Sequence, residues 1–296
     1  MNRFPAWRQG LQALALAWVL LATAAHPASH VIYEKPSAYG TVVITDEGDG
    51  LRALRFGRDG VRQSLVRPGD PEFLGLAYLP AAIAGLALCA EPRRFLVIGL
   101  GGGTLPAFLR HHYPDSEIDA VDINPEVAAA ATGQLGFRED ARMRIHIADG
   151  RRFVEAVTQP YDAIFLDAFG ADAVPAHLTT REFLSAVRRA VRSDGVVIGN
   201  LWSVSTRPPY DSMVRTYRDS FDELYVLRVA GTNNRILLAL PRPERLNRGE
   251  LAARGRKLAA EKKLRFNPGL LIERGLTPAD HEAAGGSLLT DTDFRK

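Results

Sequence analysis

The sequence predicts an α/β fold: a mostly parallel sheet with its last strand antiparallel and helices on both faces, preceded by a small N-terminal β domain. Three observations predict it. Between residues 95 and 240, short apolar runs alternate with helical patterns, the order that builds a parallel sheet. Before residue 66, β-rich runs are separated by Gly-rich turns. A cluster of glycines closes the first strand of the alternating region. The 296 residues, 46% hydrophobic and 24% charged, exclude a disordered, collagen-like or multi-span membrane chain. Lys+Arg of 37 against Asp+Glu of 34 gives +3, with no clustered charge to recruit nucleic acid, so no nucleic-acid partner is expected. The single cysteine, Cys89, excludes an internal disulfide and supplies no zinc spacing, so no metal is expected.

Taken in order, residues 1–29 read as a signal peptide or N-terminal anchor. Arg3 and Arg8 precede an apolar run from Leu11 to Ala25, and Ala22-Thr23-Ala24 has the small residues of a cleavage site. The run is shorter than the roughly 20 residues of a membrane span. Export to the periplasm, or anchoring, is expected; a true start nearer Tyr33 would leave the protein cytoplasmic. Residues 30–90 form the β domain and a linking helix, with strands at 41–45, 51–56 and 61–65, hairpin turns at 46–50 and 57–60, and a helix at 73–88.

Residues 91–241 carry the alternation. Strands are expected at 95–99, 118–122, 144–148, 162–167 and 196–201, and helices at 105–112, 125–135, 151–157, 180–191 and 210–221. Thr179 and Glu182 have capping-box spacing. Strands 224–229 and 235–240 form an antiparallel pair around Gly231-Thr232-Asn233-Asn234. Residues 242–296 are basic. Leu251 and Leu258 mark a solvated helix covering apolar surface, and 277–296 reads as a loose tail.

Gly99-Leu100-Gly101-Gly102-Gly103-Thr104 lies between the first parallel strand and its helix, where Gly99, Gly101 and Gly103 let the backbone approach a ligand. Asp122 follows the next strand and can accept two hydrogen bonds from vicinal ribose hydroxyls. Asp149-Gly150 follows the third, placed for an adenine amino group, and Asp167 follows the fourth. Gly or Asp at four consecutive strand ends points to a nucleoside site. NAD is the lesser reading, because the third glycine of its fingerprint falls on Thr104. His111 and His112 end a helix, where positive side chains suit the dipole. His146 and His177 have no partner at ligand spacing and read as structural or solvated.

From about Tyr39 to Leu240 the chain resembles the spermidine synthase (polyamine aminopropyltransferase) family. The residues carrying the resemblance are Asp59-Gly60-Val61-Arg62-Gln63, the 95–104 loop, Ala120-Val121-Asp122-Ile123-Asn124-Pro125, Ala148-Asp149-Gly150-Arg151, Tyr161-Asp162-Ala163-Ile164-Phe165-Leu166-Asp167 and Leu178-Thr179-Thr180-Arg181-Glu182-Phe183. The resemblance implies a methyltransferase-type, Rossmann-like core. It implies Gln63, Asp122 and Asp149 on the nucleoside, Ile123 against the adenine, and Asp167 as the catalytic aspartate. It implies no permanently bound cofactor, with decarboxylated S-adenosylmethionine or S-adenosylmethionine as co-substrate and an amine as acceptor.

The departures lie on the amine side. The family's amine-gripping aspartate falls on Gly102, and its second aspartate on Gly170, with Asp172 two residues on. Its polyamine-binding helix residues fall on Gly75, Leu76 and Ala77, with Tyr78 out of phase. Three functions are therefore carried forward: aminopropyl transfer, methyl transfer on the same core, and a non-catalytic exported nucleoside- or polyamine-binding protein. The residues leave the acceptor and the oligomeric state open, a homodimer among the options.

Overall fold

A computed structural model describes residues 29–170, 173–204, 207–278 and 285–294. The leader expected at 1–29, but for its last residue, and Asp172 lie outside them. The chain begins with an antiparallel sheet of β1 (His30–Lys35), β2 (Val42–Gly48), β3 (Leu51–Phe56) and β4 (Arg62–Val66), in that order. The β2–β3 turn forms where Asp49 and Gly50 both take positive φ, as a tight hairpin demands. Val42, Ile44 and Leu54 are wholly buried on one face of this sheet, joining the core that continues beneath α3 (Pro125–Gln134).

The helix expected at 73–88 is shorter: α1 (Tyr78–Ala84), prolonged by a 3₁₀ turn at Gly85–Leu88. Pro80 explains the late start. Its ring would clash with the carbonyl four residues back, so the helix cannot extend through Leu76.

The main sheet has eight strands in the order β12-β10-β11-β9-β8-β5-β6-β7. The parallel strands are β5 (Arg94–Ile98), β6 (Glu117–Asp122), β7 (Met143–Ile147), β8 (Tyr161–Leu166) and β9 (Val191–Trp202). As expected, β10 (Glu223–Arg228) and β11 (Asn234–Leu240) form an antiparallel hairpin, with β11 inserted beside β9. From β5 the chain runs outward through β6 and β7, then returns to the other side of β5 as β8. The crevice between β5 and β8 is thus a topological switch point, where open α/β sheets bind ligands.

Strand residues alternate between two apolar layers. Phe95 and Val97 face α1, α2 (Thr104–His112), α3, α7 (Arg248–Lys262) and α8 (Pro268–Gly275), whereas Leu96 and Ile98 face α4 (Gly150–Glu155), α5 (Arg181–Ala190) and α6 (Tyr210–Ser220). The basic C-terminal helix covers apolar surface as expected: Asn247 and Glu250 close a capping box on α7, and Leu251 and Leu258 are buried.

Two local expectations fail. The α5 cap is Thr180, whose hydroxyl accepts from the Phe183 amide at 3.3 Å. Thr179 instead donates to the Ala176 carbonyl, and Glu182 accepts from the Asp291 amide at 3.0 Å. The described part of the tail is not loose. β12 (Leu276–Pro278) adds to the edge of β10, Leu289 is buried, its amide bonds the Thr216 hydroxyl at 3.0 Å, and Asp291 holds the Arg151 guanidinium through both oxygens. One buried leucine and a bidentate ion pair outweigh a polar composition. Among the described residues, no helix is long and apolar enough to cross a membrane.

Candidate functional site: a cavity at the strand ends

A cavity of about 490 Å³ opens at the carboxyl ends of β5, β6 and β8, roofed by the N-terminal sheet. The glycine turn after β5 forms its floor. Gly99 takes φ +103° and approaches β8 so closely that a Cβ would lie 2.4 Å from the Asp167 carbonyl oxygen. Gly101, at φ +52°, faces Ser64 of β4. Both line the cavity. Gly103 does not: it caps α2 with φ +76° and packs on the Phe137 ring. Its glycine serves the turn rather than the cavity, which corrects the expectation of ligand contact there.

Asp122, Ile123, Asp149, Gly150 and Gln63 all line the cavity. The Asp122 carboxylate accepts from the Leu100 amide at 3.0 Å and the Asn124 amide at 2.9 Å, which fixes its plane. Burial raises its pKa, and those amides restrain the rise. Ile123 is 38% exposed and lines the cavity with an apolar face. Gln63 reaches in from β4.

Asp149 caps α4 by accepting from the Arg152 amide at 2.9 Å, while its other oxygen meets His177 Nε2 at 2.9 Å. Burial acts to raise the Asp149 pKa, but the capping amide and His177 outweigh it, and the carboxyl stays below its usual range. His177 therefore has a carboxylate partner and a place on the cavity wall. His146 also has one, Asp119 at 2.7 Å, which in turn accepts from the Tyr161 hydroxyl at 2.7 Å. That second group braces β6 against β7 and β8.

Asp167, just past β8, is the centre of a hydrogen-bonded chain. Its Oδ2 accepts from the Tyr78 hydroxyl at 2.7 Å and its Oδ1 from the Asn200 amide nitrogen at 2.9 Å. Asn200 Oδ1 accepts in turn from Asn234 Nδ2 at 2.8 Å. Burial pushes the Asp167 carboxyl up to about 6, against the pull of Asn200 and Tyr78. Tyr78, buried beside that negative charge, is raised well above the ordinary phenol value and stays a donor. Tyr78 is thus in the site, correcting the expectation that it falls out of phase: the short α1 places its first residue over the end of β8.

Phe169 and Trp202 follow Asp167 and Asn200 at the same edge, their rings 5.2 Å apart, and both line the cavity. Gly170 lines it too. Gly102 does not: a Cβ there would meet Val66 at 2.7 Å, with Ser64 and Leu135 behind, and its amide donates to Ser64 Oγ at 2.8 Å. Gly75 is crowded by Phe73 and Leu65.

The cavity has two chemically distinct ends. One offers the carboxylates of Asp122 and Asp149, the backbone of Gly99 and Gly101, and the apolar face of Ile123. The other offers, among the described residues, one carboxylate, Asp167, its pKa raised to about 6 by burial, between aromatic walls. The sequence predicts no role for Asn200, and reads Asn234 only as a turn residue, Tyr78 as out of phase and His177 as structural or solvated. Asn200 alone carried a signal, a polar residue ending an apolar strand at the edge where Asp167 sits.

The spermine/spermidine synthase domain model matches residues 79–210. A polyamine aminopropyltransferase from Vibrio vulnificus is 34% identical over 238 residues, 77% of this chain and 79% of its own length. The crystal structure of human methyltransferase-like protein 13 in complex with SAH superposes with a TM-score of 0.58 at 33% identity, over 64% of this chain and 93% of that one. A structure described as a probable spermidine synthase from Corynebacterium glutamicum shares the fold, with a TM-score of 0.68 at 18% identity over 90% of this chain and 98% of that one. With a cavity at the switch point of the sheet and a relative 34% identical that is matched over 79% of its length, the chain belongs to the spermine/spermidine synthase family.

Proposed function

We propose that this protein is a transferase that moves the aminopropyl group of decarboxylated S-adenosylmethionine to an amine. The observation that carries the reading is the Asp167 carboxylate, facing the cavity beyond β8, oriented by Tyr78 and Asn200 and held near pKa 6. The acceptor nitrogen attacks the aminopropyl carbon bonded to sulfur, the carbon–sulfur bond breaks, methylthioadenosine leaves, and the nitrogen's proton passes to Asp167. An amine with pKa about 10 is protonated at neutral pH, so it needs such a group to free its lone pair. In this reading Asp122 takes the ribose hydroxyls through lone pairs that Leu100 and Asn124 leave free, Ile123 lies against the base, and Asp149, Gly150, Gln63, Gly99 and Gly101 complete the nucleoside end.

Among the described residues, Asp167 is the only carboxylate lining the acceptor end, beside Phe169 and Trp202. Each buried ammonium needs a compensating anion or aromatic face, which favours an acceptor bearing one charge over a long polyamine. Incubation with the decarboxylated donor and a series of mono- and diamines tests the reading. Methylthioadenosine should be released; its absence with every amine would sink it.

A second reading has its own observation. Position 102 holds no carboxylate and has no room for one without displacing Val66, so nothing there repels the carboxylate of ordinary S-adenosylmethionine. Methyl transfer is that reading, in keeping with the likeness to a methyltransferase structure holding SAH. Calorimetry with both donors, followed by identification of the nucleoside product, separates the two.

A further inference from the structure

At the end of α2 opposite the one that meets the cavity, Glu72 converges with two histidines about forty residues further along the chain. Glu72 lies in the loop before α1, and His111 and His112 form the last turn of α2. One carboxylate oxygen and one ring nitrogen from each histidine all lie within 4.8 Å of one another. The His112 side chain is 5% exposed, yet its Nε2 has no hydrogen-bond partner. It lies 3.5 Å from Glu72 Oε1 without making a hydrogen bond. A buried imidazole nitrogen left unsatisfied is costly and needs an explanation.

We propose that Glu72, His111 and His112 form a binding site for a divalent transition cation of the zinc type. Imidazole and carboxylate are the ligand types such ions prefer, and three protein ligands leave the fourth position to water.

The surroundings are arranged accordingly. Glu72 Oε2 is held by Arg265 at 2.7 Å, which leaves Oε1 facing the histidines. Asp70 shares the charge of Arg265 at 3.1 Å, and the Lys262 ammonium is occupied 4.1 Å over the Tyr113 ring. The carbonyl end of α2 adds a partial negative charge. A tetrahedral zinc holds its ligand atoms roughly 3.3 Å apart, so the group must close further, and His111, whose ring packs edge-on against His112, is the exposed member that would move.

The bound ion would tie the loop before α1 to the end of α2. Titrating tag-free, metal-stripped protein with zinc chloride by calorimetry tests this, with cobalt(II) absorption for geometry and thermal melting for the effect on the fold. The expected result is one ion per chain, a raised Tm and a tetrahedral cobalt spectrum. Glu72→Gln and His112→Ala should each weaken zinc more than about tenfold, while His30→Ala on the edge strand leaves it unchanged. Melting of the metal-free variants shows that they are folded. Zinc binding of equal strength in His112→Ala, or no stoichiometric binding by the unaltered chain, overturns the proposal.

Discussion

The two ends of the cavity are built in different ways. The end proposed for the nucleoside comes mainly from residues at the ends of parallel strands, the glycine turn after β5, Asp122 ending β6 and Asp149 after β7, with Gln63 added from β4. Each owes its position to its own strand and to one or two local amides. The end proposed for the acceptor is assembled from Tyr78 on α1, Asp167 after β8, Asn200 on β9 and Asn234 on β11, a stretch of more than 150 residues joined by side-chain hydrogen bonds. A strand-end motif keeps its geometry as long as the sheet does. A side-chain network keeps it only while every member is present, so the acceptor end is the half free to change chemistry while the nucleoside half persists.

Asp167→Asn is the most severe way to break that comparison. Removing the proton acceptor should lower kcat by about 10²- to 10⁴-fold, while the donor Kd measured by calorimetry stays within about threefold. A comparable loss of donor affinity would mean that the two ends are not separate. The substitution also bears on stability. Asp167 has its folded pKa raised from 3.8 to about 6, so its contribution is fully present below the unfolded value and is lost as pH rises through the folded one. The asparagine variant should therefore lose less stability than the unaltered protein between pH 4 and 6, as thermal melts across that range will show.

Asp122→Ala is the complementary test at the other end. Losing a hydrogen-bonded carboxylate costs about 1.5–3 kcal/mol, a tenfold or greater rise in donor Kd, with the acid limb of the pH–rate profile unmoved. A shifted limb would connect Asp122 to the proton transfer.

Tyr78→Phe should have a smaller and more specific effect. The hydroxyl stabilises the ionised carboxyl, so its loss raises the Asp167 pKa, and the inflection below which kcat/KM falls should move upward from about 6. The expected loss at neutral pH is about tenfold. An unchanged inflection would show that Tyr78 only packs. Asn234→Ala, one bond further out, should move the same inflection in the same direction by less, with a loss of about threefold, because it acts through the orientation of Asn200.

The cores and caps show why some elements were readable and others were not. Strands β5 to β8 and helices α2 to α4 lie within a residue or two of their expected bounds, because each is a short apolar run with its own turn signals. The β10–β11 hairpin follows its turn sequence in the same way. The tail was misread because its partners, Ser212, Thr216 and Arg151, are distant in sequence, and the α5 cap because Glu182 is drawn to Asp291.

By itself, the sequence determined the α/β order, the switch-point glycine turn and the carboxylates that follow the parallel strands. These depend on periodicity, turn chemistry and the direction in which a strand ends, all of which act over a few residues. Only the tertiary structure decided that Tyr78, Asn200 and Asn234 converge on Asp167, that His177 meets Asp149, and that Gly102 and Gly103 turn away from the cavity. The reason is physical. Those relations depend on how the helices and the N-terminal sheet dock across the strand ends, and docking is set by packing between distant surfaces that no local pattern records.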